Sequence, residues 1–127
     1  MALTLSAEVV TLHTKHPFVI ARGGHSAYEV VWVRLTDGDG IEGWGEASPS
    51  SYYGETAQTV LNVLDTLSEH LPDDPFDLEG AEQRFERAVP KNGAARAALS
   101  AALHDLVGKR FGQPLWRLWG LDPTRAP

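Results

Sequence analysis

The four residues Asp37-Gly38-Asp39-Gly40 constrain this chain more than any others. Glycine and aspartate in alternation make a tight turn, and the runs on both sides are strand-forming. Tyr28 to Thr36 is β-branched and aromatic, with Val31, Val33 and Leu35 on one face. Ile41 to Ala47 returns from the turn with Gly43 and Gly45 on one face and Glu42, Trp44 and Glu46 on the other. Glycine weakens a strand, so two at period 2 imply that something packs unusually close to that face. Upstream, Leu3, Leu5, Ala7, Val9 and Thr11 alternate with mostly polar neighbours and predict a first strand. His16-Pro17 is expected to end it, because proline cannot donate to a ladder. Arg22-Gly23-Gly24-His25-Ser26 then reads as a loop.

The second half of the chain changes period. Ser48 to Gly54 is a loop, and Val60, Leu64, Leu67 and Leu71 mark a helix from about Glu55 to Leu71. Asp77 is placed to cap a helix that ends near Val89, before Pro90. Asn92-Gly93 opens a third helix, Ala94 to about Phe111. Its stripe of Ala95, Ala98, Ala102 and Leu106 allows a close neighbour. Gly112-Gln113-Pro114 closes that helix and starts a short one, Leu115 to Trp119, ended by Gly120. Strands followed by helices give an α+β class: a three-stranded antiparallel meander followed by a bundle of about three helices.

Composition removes several kinds of function. The 127 residues fit one domain and contain no cysteine, which excludes disulfides, thiolate nucleophiles and cysteine-bound zinc. A net charge of −6 with no basic block argues against nucleic acid as a partner. No run approaches the roughly 18 apolar residues of a membrane span, and no export leader is visible, so a cytoplasmic location is expected.

No catalytic residue and no metal ligand is nominated. The glycines at 38, 40, 43 and 45 lack the spacing of a phosphate-binding loop, so the hairpin reading is preferred. Asp37, Asp39 and Glu42 read better as a solvated turn than as a cation site. Glu46 could serve as a general base, but a structural carboxylate accepting loop N–H bonds is the better reading. Two segments remain as candidate substrate-binding loops at the ends of the second and third strands, Ile20 to Ser26 and Ser48 to Tyr53. They offer Ile20, Arg22, Gly23 and His25 on one side and Ser51, Tyr52 and Tyr53 on the other. Arg22 is a planar fork suited to a carboxylate, and the tyrosines are apolar walls with polar tips.

Five strings in this order resemble the N-terminal domain of the enolase superfamily, in its muconate-lactonizing subgroup. They are Pro17-Phe18-Val19-Ile20-Ala21-Arg22-Gly23; Glu29-Val30-Val31-Trp32-Val33-Arg34-Leu35; Gly43-Trp44-Gly45-Glu46-Ala47; Tyr53-Gly54-Glu55-Thr56; and Ala94-Ala95-Arg96-Ala97-Ala98-Leu99, running on through Leu103-His104-Asp105-Leu106 to Leu118-Trp119-Gly120. The first and fourth look most like those of dipeptide epimerases; muconate cycloisomerases and o-succinylbenzoate synthases share much of the framework.

The resemblance implies a capping domain over residues 1–120 and a connector, 121–127, towards a (β/α)₇β barrel that would carry the chemistry. In such enzymes, barrel lysines flank the substrate α-carbon and three barrel carboxylates hold Mg²⁺. The implied partners are the chain's own barrel and a small substrate such as Ala-Glu, in a homo-oligomeric enzyme. The rival is a free-standing binding module. In some members the first loop carries a substrate-gripping arginine at the position of Gly23, and Arg22 lies one residue earlier. His104 stands where the family usually has tryptophan, read as a packing variation.

Overall fold

A computed structural model describes residues 2–21 and 23–125. Three strands, β1 (Thr4–Ile20), β2 (Gly23–Thr36) and β3 (Glu42–Ala47), form one antiparallel sheet in the order β1-β2-β3. Helices α1 (Ala57–Ser68), α2 (Leu78–Ala88), α3 (Gly93–Phe111) and α4 (Leu115–Leu118) follow, with short 3₁₀ turns at Ser51–Tyr53 and Pro123–Arg125. The α+β expectation holds.

The register explains where the core lies. Leu5 faces Leu35 and Gly43, Ala7 faces Val33 and Gly45, and Val9 faces Val31 and Ala47. Residues directly opposite share a face, and Val31, Val33, Leu35 and Ala47 are buried there beneath the helices. Val60, Leu64 and Leu67 of α1, Phe85 of α2, and Leu99, Leu103 and Leu106 of α3 complete one continuous core.

The sheet and α3 meet through their smallest residues. A Cβ added at Gly43 would run into the Ala102 carbonyl and Leu106, and one at Gly45 into the Ala98 carbonyl. The paired glycines and the alanine stripe are therefore two halves of a single contact. Once α3 sits this close, it also closes the free edge of β3. Asp105 Oδ2 accepts the Trp44 N–H at 2.8 Å, and Lys109 Nζ donates to Asp105 Oδ2 at 2.7 Å and to the Glu42 carbonyl at 2.8 Å.

The opposite face carries its own polar layer. Trp32 Nε1 donates to Glu46 Oε2 at 2.9 Å, and Arg34 donates to Ser6 Oγ and to Glu42 Oε1, both at 3.2 Å. The Arg34 guanidinium also lies 5.6 Å from the Trp44 ring centre. Glu46 is thus a structural carboxylate, but its donor is an indole across the sheet rather than a loop N–H.

Three expectations need correction. β1 does not stop at His16-Pro17. Its register shifts between His13 and Phe18, and Pro17 falls inside that irregularity, where no ladder N–H is required. The segment beginning at Gly23 is consequently not a loop: Ile20 pairs with Gly23, Val19 with Gly24 and Phe18 with His25.

The second correction concerns Asp37, which is buried rather than solvated. Its Oδ1 accepts the N–H groups of Asp39 and Ile41 at 2.9 and 3.0 Å, and its Oδ2 accepts from Arg110 Nη1 at 2.6 Å. Burial works against its charge, but the Arg110 guanidinium and the two backbone amides outweigh that and hold the carboxyl below its ordinary range.

Third, the helix boundaries move. α1 begins at Ala57 because Thr56 and Thr59 form a reciprocal cap, so Glu55 lies outside the helix. Asp77 does cap α2, accepting the Gly80 N–H at 3.1 Å. His104 sits half-buried with Nδ1 2.9 Å from the Ser100 carbonyl oxygen and its ring edge-on to Trp119.

Candidate functional site

The two candidate loops are a hairpin tip and a 3₁₀ turn. At the tip, Ile20 pairs with Gly23 across the two strands. The adjacent glycines have different jobs. Gly23 adopts φ +117, which a side chain would resist, whereas a Cβ on Gly24 would lie 2.7 Å from Val19 Cγ2 and 2.8 Å from the Phe18 carbonyl oxygen. His25 follows on β2, its carbonyl accepting the Tyr28 hydroxyl at 3.2 Å and its ring edge-on to Tyr28. Arg22 lies outside the described residues. Phe18, Val19 and Ile20 are exposed at 63%, 74% and 53%, three consecutive apolar side chains with no protein over them.

The second loop is more tightly built. Ser50 accepts the Tyr53 N–H at 3.0 Å and the Glu55 N–H at 3.1 Å, and Ser51 accepts the Gly54 N–H at 3.0 Å. Gly54 takes the left-handed conformation that ends the turn. Tyr52 and Tyr53 meet edge to face at 4.9 Å and project outward, 62% and 76% exposed. Glu55 then ties the loop to the helical layer. Its Oε2 accepts the Ala94 N–H at 2.9 Å, and its Oε1 accepts the Ser50 N–H at a longer 3.4 Å.

Ile20, Gly23 and His25 are thus gathered on one hairpin tip, and Ser51, Tyr52 and Tyr53 in one turn. Both groups project from the same end of the sheet. Ala47, the last residue of β3, pairs with Val31, and β2 runs a further eight residues from there to Gly23. At about 3.3 Å per residue that is roughly 26 Å of strand. The two candidate segments stand apart rather than enclosing a cavity between them. A shallow groove lined by Ser6, Ala7, Glu8, Trp32, Arg34 and Trp44 lies on the open sheet face, away from both.

Among the described residues no cluster of three or more histidine, aspartate or glutamate side chains could hold a metal ion. Asp37, Asp39 and Glu42 are instead paired with Arg110 and Arg34. No described helix is long and apolar enough to cross a membrane. Sequence reasoning missed Glu55 and Asp105 as organising residues, since their backbone partners lie 39 and 61 residues away.

Comparison with known proteins follows the same outline. Residues 4–120 match the model of the mandelate racemase / muconate lactonizing enzyme N-terminal domain. An L-Ala-D/L-Glu epimerase of Bacteroides thetaiotaomicron is 38% identical over 116 residues, covering 91% of this chain and 30% of that protein. An o-succinylbenzoate synthase of Geobacillus stearothermophilus is 33% identical over 114 residues, covering 86% of this chain and 30% of its own length. The structure of a dipeptide epimerase from Cytophaga hutchinsonii, complexed with Mg and the dipeptide D-Ala-L-Val, superposes with a TM-score of 0.89 at 25% identity, covering 97% of this chain and 34% of that one. The chain spans about a third of the length of the curated relatives it matches. It belongs to the mandelate racemase / muconate lactonizing enzyme family, of which it is an N-terminal domain.

Proposed function

We propose that this chain caps and confers specificity on a cytoplasmic, Mg²⁺-dependent isomerase of the enolase superfamily, an epimerase acting on dipeptides such as Ala-Glu. The observation that carries this reading is the likeness to L-Ala-D/L-Glu epimerase, 38% identical over 91% of the chain. It is joined to a geometry in which the hairpin tip and the Tyr52–Tyr53 turn project from one end of the sheet. In this reading residues 1–120 form the cap and 121–127 the connector to a barrel. The barrel supplies the proton-transfer groups and the metal ligands. When bound, the ion would polarise the substrate carboxylate as a Lewis acid. The cap's own work is to contact the dipeptide and exclude water from the barrel mouth. The full-length enzyme would act as a homo-oligomer.

Exposed apolar surface supports a covered cap over a free-standing binding module. Besides the hairpin tip, Trp116, Leu118, Trp119 and Leu121 at the end of the helical layer are 41–58% exposed, more than a solvated module needs to display. The runner-up, a cap for o-succinylbenzoate synthase or muconate cycloisomerase, is favoured by the 33% identity to the former. Substrate assay separates the two.

Arg22 provides a sharper test of the acidic-dipeptide reading. In the full-length enzyme, Arg22→Ala should raise KM for dipeptides ending in glutamate by about tenfold, the order of one lost charge-assisted hydrogen bond, and barely change it for neutral dipeptides. Equal effects on both classes would remove Arg22 from the substrate contact.

A further inference from the structure

We infer that Glu55 is the residue that positions the Tyr52–Tyr53 turn, by locking it to the N-terminus of α3. The inference rests on the capping reading for what the turn does, but not for how the turn is held.

α3 needs a cap that its own sequence does not provide. Asn92 precedes the helix at φ +51 and makes no side-chain hydrogen bond to it. The first turn of a helix leaves N–H groups without partners and carries a partial positive charge. The Glu55 carboxylate answers both needs from 39 residues away, accepting the Ala94 N–H at 2.9 Å. Its other oxygen reaches the Ser50 N–H, and the Ser50 carbonyl accepts the Glu55 N–H in return at 3.1 Å. Ser50 and Glu55 thus clasp each other across the turn, with Tyr52 and Tyr53 held between them.

α3 itself is a fixed reference. Its backbone rests directly on Gly43 and Gly45, and Asp105 and Lys109 bind it to β3. Through Glu55 this rigidity passes to a loop whose two tyrosines stand out into solvent, 62% and 76% exposed. Side-chain length matters: aspartate would fall one methylene short, whereas glutamine keeps the reach and one acceptor oxygen.

The test follows hydrogen exchange in the full-length protein carrying this chain, beside its kinetics on dipeptides. Glu55→Ala should speed exchange at residues 50–54 and at Ala94 by about tenfold, while β2 and the remainder of α3 keep their protection. KM for dipeptides should rise by a similar factor with kcat changed less than about twofold, the order of one lost hydrogen bond to a charged group. Glu55→Gln, which keeps one acceptor oxygen but sets its NH₂ against the other N–H, should restore part of both effects, and Glu55→Asp should restore neither. Unchanged loop exchange in Glu55→Ala, or a loosening spread evenly over the whole domain, would overturn the inference. So would a loosened loop with KM unaltered. If the wild-type protein turns over no dipeptide, the capping reading fails instead. The exchange measurement then decides Glu55 alone: a local rise supports it and no rise refutes it.

Discussion

A carboxylate in a glycine-rich turn is ordinarily solvated, and Asp37 departs from that because Arg110 arrives from 73 residues away. Its lowered folded-state value has a definite consequence for pH. The stabilisation is fully present above the unfolded value of about 3.9 and is lost as pH falls through the depressed folded value. Arg110→Met would leave the Asp37 carboxylate with two amides and no guanidinium, and should lower the urea-unfolding midpoint at pH 7. Because protonating Asp37 relieves the variant, the gap between variant and wild type should narrow below about pH 4. A gap that stays constant from pH 7 to pH 3 would show that Arg110 stabilises by packing alone.

Among the elements, the contact between α3 and β3 shows what a sequence discloses and what it conceals. Glycines at period 2 announced a close approach to β3, and alanines at helical spacing announced a close approach to α3. That each was the other's partner became visible only in the fold. Gly45→Ala tests the contact, since its Cβ would enter the Ala98 carbonyl and push the helix off the sheet. A loss of about 3 kcal/mol is expected by thermal or chemical unfolding. Gly93→Ala, whose Cβ would meet nothing within 4 Å, should be neutral or slightly stabilising. Comparable losses at both positions would contradict the contact.

The hairpin arm was harder to read. Pro17 and Gly23-Gly24 are strong stop signals locally, yet an irregular register absorbs the proline, and the glycines serve the tip of a longer strand pair. The candidate site was legible as residue types in two segments. Its anchoring by Glu55 was not, because a glutamate beside a helix start looks like any other first-turn acid.

At the scale of the molecule, the chain presents an exposed hairpin tip, an exposed tyrosine turn and further exposed apolar surface, with no metal cluster among its described residues. On this account the cap selects and encloses the substrate, and the remaining two-thirds of the length seen in relatives performs the proton transfer. The claim is tested most directly by incubating the full-length protein with L-Ala-L-Glu in D₂O and following solvent deuterium into the glutamate α-position by proton NMR. The account predicts exchange and epimer formation that stop when Mg²⁺ is chelated and return when it is restored, with no exchange from residues 1–127 alone. Absence of exchange across acidic and neutral dipeptides with Mg²⁺ present would contradict it, as would exchange catalysed by residues 1–127 on their own.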